Sequence, residues 1–260
     1  MSPEKLYVQG NIHLLSKNSI AIVGSRNCTQ YGIKYAEKFA KDLSKNNICI
    51  ISGLAKGVDT ISHISALAER GKTIAVIGTG FNNIYPEENK DLYKKILEND
   101  GCIVSEFEPE EKVDISKIPR RNRIISGLAI GVLLIEARYR SGSNITARFA
   151  IEQNKELFCI PHNLETKTGY GPNYFIKMGA KLVTQAKDIL QEFELLEENK
   201  IAIDSQYEEI YKYISAVPIT ANEISIKTNK NISDVNEALF MLEMDGIIKC
   251  IPGNKYIISE

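Results

Sequence analysis

Residues 48–70 read ICIISGLAKGVDTISHISALAER, and this stretch decides the fold. Ile48–Ile51 is apolar throughout, without the polar alternation of a half-exposed strand, so it suits a strand covered on both faces. Ser52-Gly53-Leu54-Ala55-Lys56-Gly57 interrupts the run with small and polar residues, and Thr60–Arg70 resumes with the spacing of an amphipathic helix. The same succession repeats in both directions. Ile20–Val23, Thr73–Ile77, Cys102–Val104, Val132–Ile135, Leu157–Ile160 and Lys181–Val183 are further predicted strands. Lys34–Asn46, Asn89–Asn99, Asn144–Gln153 and Pro172–Met178 are predicted helices between them. Apolar strands separated by helices imply an α/β fold, a Rossmann-like doubly wound parallel sheet. Its right-handed crossovers bring the strand C-terminal ends to one edge.

The 260 residues exceed a usual single domain of roughly 100–200. A large domain is expected over 1–190, an acidic linker over 191–205 and a small domain over 206–260. Residues 188–210 hold eight acids against Lys200 alone, which marks the linker. The small domain reads as a winged helix. Glu209–Ile214 is its first helix and Thr220 caps the second. Ser233 caps the third, Asp234–Asp245, which turns Val235, Leu239 and Leu242 to one face and stops at Gly246. Ile247–Cys250 and Lys255–Ile258, joined by Pro252-Gly253-Asn254, form a hairpin. Residues 217–260 carry four lysines, six acids and no arginine. Asp234, Glu237 and Glu243 on the would-be recognition helix repel phosphate, so a protein-contact or structural role is expected there.

No apolar run approaches the ~18 residues of a membrane span, and Met-Ser-Pro-Glu-Lys-Leu is no signal core. Five cysteines with no C-x-x-C pair argue for reduced thiols in a cytoplasm rather than disulfides or zinc. His13, His63 and His162 lie far apart, so no metal site is expected.

Each predicted strand runs into a turn of small and polar residues: Gly24-Ser25-Arg26, Ser52–Gly57, Gly78-Thr79-Gly80, Ser105-Glu106, Glu136–Ser143 and Pro161-His162-Asn163. In an open α/β sheet these turns share one crevice, where ligands bind. Glycine lets backbone approach a phosphate, and helix N-termini aim N–H groups at it. Arg138 and Arg140 precede Ser141-Gly142-Ser143-Asn144-Ile145-Thr146, an anion cradle in chemical terms, although Ser143 is also an ordinary helix cap. Six of the eight arginines fall at 120, 121, 123, 138, 140 and 148, and arginine forks phosphate well. Arg120, Arg121 and Arg123 follow Pro119 into a helix start, against the macrodipole. They either bind phosphate or pair with acids such as Glu106 or Glu136. Asp59 and His63, four apart, could form a catalytic pair, but the favoured reading has Asp59 capping the helix and His63 packed. Gly78-Thr79-Gly80-Phe81-Asn82-Asn83 lacks the third glycine and the acid of a dinucleotide fingerprint, and no Walker lysine motif occurs. No Ser-His-Asp or Cys-His set stands out by spacing.

GSRNCTQYG (24–32), SGLAKGVDTISH (52–63), AVIGTGFNNIYP (75–86), SEF (105–107), PRRNRIISGLA (119–129), IEARYRSGSNITARFA (135–150) and GPNYFIKMGAKLV (171–183) together resemble the DprA/Smf family. They keep its order and spacing over roughly residues 5–185. The resemblance implies an extended Rossmann fold that binds single-stranded DNA without catalysis or cofactor. It also implies loading of RecA, protection of DNA during natural transformation, and homodimers formed through the Rossmann domain. The family's basic pocket maps onto Arg26, Lys56 and Arg140-Ser141-Gly142-Ser143, with Arg120, Arg121 and Arg123 nearby. Gly24, Ser25, Ser52, Gly53, Gly57, Thr146 and Asn173 complete the candidate DNA-binding set. Lys56 stands where the family commonly has arginine, which keeps charge but loses the bidentate fork. Pro161-His162 replaces the usual Pro-Gly. The family's N-terminal helical domain is expected to be missing, since the sequence starts near the Rossmann-proximal segment Leu6-Tyr7-Val8-Gln9-Gly10.

The leading expectation is thus a non-enzymatic single-strand binder that tracks phosphates with Arg and Lys. Tyr139, Phe149 and Tyr174 are its candidate stacking surfaces. Neutralising about five phosphates gives a log–log salt slope near ~−3.5. The alternatives are a Rossmann-fold nucleotide phosphoribohydrolase, whose P-G-G-x-G-T-x-x-E hallmark is absent, and a winged-helix regulator.

Overall fold

The computed structural model describes residues 3–114, 116–195, 206–215 and 217–259. The chain forms two compact units, residues 1–196 and 197–260. Most of the acidic stretch expected as a linker lies outside the described residues.

The first unit is built on an eight-stranded sheet of order β1-β5-β4-β3-β2-β6-β7-β8. The strands are β1 (Tyr7–Gly10), β2 (Ser19–Val23), β3 (Cys49–Ser52), β4 (Thr73–Ile77), β5 (Cys102–Ser105), β6 (Gly131–Leu134), β7 (Glu156–Cys159) and β8 (Lys181–Leu182). All neighbours pair in parallel except β1, which adds antiparallel to β5 at the edge in the register Tyr7↔Ser105. The four residues of β1 carry no periodicity that a sequence reading could use. The helices are α1 (Gln30–Lys45), α2 (Val58–Ala68), α3 (Lys90–Glu98), α4 (Asn122–Leu128), α5 (Ser143–Glu152), α6 (Tyr170–Lys177) and α7 (Ala186–Glu192).

The period of two in each strand explains the layering. Ala21, Val23, Ile51, Val76 and Leu134 bury against Ile124 of α4, Ala147 and Ala150 of α5, and Phe175 of α6. Ile20, Ile22, Ile50, Leu133 and Phe158 bury against Phe39 and Leu43 of α1, Ala66 of α2, and Ile189 of α7. Ala75, Ile77 and Ile103 bury against Leu92 and Ile96 of α3. Both faces are covered, which is why the strands read as unbroken apolar runs.

After β2 the strand order reverses. β3, β4 and β5 build outward on one side, and β6, β7 and β8 on the other. The switch point lies between β2 and β6, and ligands of such sheets bind outside the strand C-termini there.

In the second unit α8 (Glu208–Tyr211), β9 (Ile219–Thr220), α9 (Ala221–Thr228), α10 (Ile232–Met244), β10 (Ile248–Ile251) and β11 (Lys255–Ile258) follow in order. The strands form one sheet, β10-β11-β9. Ile210, Ile224, Val235, Leu239, Leu242 and Ile248 make its core. Thr220 caps α9 as expected, in a reciprocal box: its hydroxyl accepts from Glu223 N, and the Glu223 carboxylate accepts from Thr220 N at 2.8 Å. Ser233 does not cap α10. Asn231 does, its Oδ1 accepting from Asp234 N at 3.0 Å, so the helix starts two residues earlier than expected.

Candidate nucleic-acid interface

The crevice at the switch point is open to water over about 340 Å³. Its walls are the turn after β2 (Gly24, Ser25, Arg26, Asn27), Ala55 and Asp59 beside β3, and Ile118, Pro119, Arg121 and Asn122 at the start of α4. Arg138 and Ser141–Ser143 after β6, with Thr146 in α5, complete it. A smaller cavity of about 50 Å³ adjoins it, lined by Arg26, Gly53, Lys56, Gly78, Thr79, Tyr85 and Pro86 among others. Arg26, Ala55, Ile118 and Arg121 line both.

Each turn is held in place by an identifiable bond. Glu136, fully buried at the end of β6, accepts from Thr29 N at 2.9 Å, Thr29 Oγ1 at 2.5 Å and Thr168 Oγ1 at 3.2 Å. One carboxylate thereby ties the loop after β2 to the segment ahead of α6. Val58 N donates to Ser25 O at 3.2 Å, which seats the start of α2 on the first turn. Gly57, at φ +77, brings its Cα against the Ser25 and Arg26 carbonyls, where a Cβ has no room.

Asp59 does not cap α2; Gly57 holds the cap position, without a side-chain bond, and the helix starts at Val58. Its carboxylate reaches back to the N–H groups of Gly53 at 3.2 Å and Ala55 at 3.3 Å, ordering the loop. His63 is buried, with Nδ1 2.7 Å from Thr73 Oγ1. The Thr73 hydroxyl proton is already given to Ile50 O at 2.7 Å, so His63 donates from Nδ1. Its Nε2 has no hydrogen-bond partner. Burial, with Arg121 adding repulsion, pushes its pKa down to about 3, so it is neutral and far from a catalytic poise.

Four of the predicted phosphate cations are engaged by protein groups. Arg121 is buried, donates to Gly53 O and Val76 O, and lies 3.8 Å from Asp59. It is the keystone of the crevice floor rather than a free phosphate fork. Desolvation lowers its pKa to about 10, with Asp59 opposing, so it keeps its charge. Arg123 is buried against Glu106, which also takes Arg120 at 3.2 Å; of the two sequence readings for these residues, pairing with Glu106 is the arrangement present. Lys56 is exposed but bonded to Glu88 at 2.5 Å. Arg26, Arg138 and Arg140 are exposed and form no ion pair with the described residues.

Other predicted residues also do structural work. Ser52 is buried and donates to Ile22 O at 2.6 Å. Asn173 staples His162, accepting from its N–H at 3.1 Å and donating to its carbonyl at 3.0 Å. Ser143 is the first residue of α5 and not its cap; its hydroxyl pairs with Ser141 Oγ at 2.7 Å. Gly24 and Gly53 pack against Val58 and Arg121, whereas a Cβ on Gly142 meets nothing. Gly142 is therefore the one of these three glycines with open space beside its Cα.

The model of the DNA recombination-mediator protein A family matches residues 1–194, and that of the DprA winged helix domain matches 196–254. Protein Smf of Escherichia coli is 35% identical over 96% of this chain and 71% of its own length. The DNA processing protein DprA of Streptococcus pneumoniae is 45% identical over 74% of this chain and 68% of its own. This chain belongs to the DNA recombination-mediator protein A family. The X-ray structure of the pneumococcal DprA superposes with TM-score 0.68, covering 72% of this chain and 65% of that one. A DprA structure from Helicobacter pylori, described by its single-stranded DNA binding mode, superposes with TM-score 0.68 at 31% identity, over 75% of this chain and 88% of that one. His162, where the sequence reading expected a departure from the family, has no left-handed backbone: its Nε2 lies 2.8 Å from Ile135 O and its ring packs on Tyr31.

Sequence reasoning placed Arg138 only as a neighbour of the cradle, yet it lines the crevice. It also missed Tyr170, which sits between Tyr139 (centroids 5.0 Å) and Tyr174 (6.2 Å, nearly parallel) in an exposed array. A signal was available, since Tyr170 and Tyr174 are four apart on one helix.

Proposed function

We propose that this chain holds single-stranded DNA in the switch-point crevice and performs no chemistry on it. The reading rests on one observation. Arg26 and Arg138, both without ion-pair partners among the described residues, line an open crevice beside Gly142, where a Cβ would meet nothing. That combination suits a phosphodiester and leaves the bases outside any sequence-specific code. The absence of catalysis is supported by the lining. Asp59 is tied to loop amides and to Arg121, and no histidine, cysteine or lysine lines the larger crevice to activate Ser25, Ser141 or Ser143.

Two further parts belong to the same proposal, the first in keeping with the family's description as a recombination mediator. The bound strand is handed to a RecA-type recombinase in the cytoplasm, during uptake of transforming DNA. A second copy pairs at the open sheet edge, where β8 has one neighbour only and Leu182 and Met178 are exposed. Leu182→Lys is expected to shift the molar mass by light scattering toward the monomer; an unchanged dimer discards that surface. The central test compares an oligo-dT with a duplex of equal length by gel shift. Wild type is expected to prefer the single strand, and Arg26→Glu and Arg138→Glu to lose about tenfold or more each. Equal binding of the duplex, or two variants that bind as wild type does, ends the reading.

A further inference from the structure

Helix α10 is apolar on two sides. Val235, Ala238, Leu239 and Leu242 turn into the core of the second unit and are buried. On the opposite side Phe240, Met241 and Met244 are 61%, 39% and 70% exposed. Positions three and four apart are neighbours on a helix surface, so these three form one patch, with Glu237 one turn before Phe240 and Met241. The outer face of a helix is ordinarily polar, and a helix that is apolar all round is covered all round. The core covers one side of α10, and the other stands in water. Aromatic residues and methionine are enriched where proteins meet. The charges around the patch have one sign. From Asn231 to Ile248 the chain carries Asp234, Glu237, Glu243 and Asp245 and no lysine or arginine. All four acids are exposed, and the ion pair found among the described residues of this unit lies elsewhere, between Lys230 and Glu209. Glu243 accepts from Cys250 N at 3.1 Å, a bond that leaves its charge in place.

We infer that the outer face of α10 docks a basic amphipathic helix of a partner protein. The partner's apolar side chains seat on Phe240, Met241 and Met244, and lysines or arginines on their flanks meet the four acids. The 13 residues of α10 run about 20 Å, enough for about three turns of a partner helix laid alongside. The acids turn away a nucleic acid, whose phosphates they repel. They also turn away a second copy of this chain. Two such faces set four acids against four, with no basic residue between Asn231 and Ile248 to answer them. Nothing in this docking needs the crevice of the first unit.

The probe is a phage library of random peptides long enough to span α10 as a helix, panned on the full chain and counter-selected on Phe240→Lys. Enriched sequences are expected to carry a net positive charge, with apolar residues at helical spacing. The leading peptide, synthesised with a fluorophore, is expected to bind the full chain and to lose about tenfold or more on Phe240→Lys or Met244→Lys. Glu237→Lys is expected to weaken it severalfold and to flatten its salt dependence. All three positions are exposed, so each variant should melt with wild type. Enrichment of neutral or acidic peptides, or none beyond that on Phe240→Lys, overturns the proposal. So does a peptide that binds every variant as it binds wild type. A molar mass by light scattering that falls on Phe240→Lys gives the face to a second copy. Duplex binding lost on Phe240→Ala gives it to nucleic acid. Either of these results overturns the proposal as well.

Discussion

Glu88 is the residue that limits how much charge Lys56 offers. The pair meets at 2.5 Å with both side chains more than half exposed, and the hydrogen bond from Lys56 holds the Glu88 carboxyl below its usual range. The carboxylate stays ionised at neutral pH and competes with any phosphate for Lys56. Removing the competing carboxylate frees Lys56 for phosphate, so Glu88→Gln is expected to tighten oligo-dT binding about twofold or more at low salt. Unchanged affinity in anisotropy titrations would show that Lys56 lies off the DNA path. His63 leads to a different expectation. Its folded pKa of about 3 lies below the unfolded 6.5, so the unfolded chain takes up a proton that the native one refuses. Its contribution is full above pH 6.5 and declines as pH falls through that window. Between pH 7 and 5 the loss amounts to about 2 kcal/mol. Urea midpoints at these two pH values should show it in wild type and much less in His63→Asn; equal slopes in both proteins would reject the assignment.

At the scale of elements, two glycines in neighbouring turns separate packing from ligand access. A Cβ on Gly53 collides with the buried Arg121 guanidinium, so Gly53→Ala is expected to cost about 2–4 kcal/mol by disturbing a buried charge network. Gly142 has φ −60 and ψ −26, an ordinary helical conformation, with nothing near the added methyl. Gly142→Ala should therefore leave thermal stability unchanged or raise it by up to about 1 kcal/mol, while weakening oligo-dT binding severalfold. Intact affinity would place the strand elsewhere. This contrast also marks what the sequence could convey. Strands β2 to β7 were legible because burial on both faces writes itself as apolar runs, and Ser52–Gly57 was legible as a turn because its composition is. Which arginine faces the crevice was not. Arg120, Arg121 and Arg123 are alike in sequence, and only the fold shows Glu106 and Asp59 arriving from other turns to engage them. Asn231 and Ser233 are both good caps, and the choice between them rests on tertiary packing. In the second unit, the outer residues of α10 pair Glu237 and Glu243 with exposed Phe240 and Met244, a surface suited to protein contact more than to phosphate.

For the whole molecule, the number of free cations fixes how binding should respond to salt. Taking about five neutralised phosphates gives a log–log slope near −3.5. Among the described residues Arg26, Arg138 and Arg140 have no ion pair, while Lys56, Arg120, Arg121 and Arg123 are held by Glu88, Glu106 and Asp59. Breaking those internal pairs costs about what the new phosphate contacts return, so they add little to counterion release. Three phosphates at about 0.7 each give a slope near −2. The second unit should not contribute, because its acids outnumber its lysines and its core closes on itself. A chain ending at residue 196 is expected to keep the same slope and an affinity within about threefold. Titrations of dT oligomers between 50 and 300 mM salt, on both chains, decide the matter. A slope near −3.5 would mean the buried pairs open on binding, and a flat response would remove phosphate recognition altogether. A slope that collapses on truncation would move the interface to the winged helix.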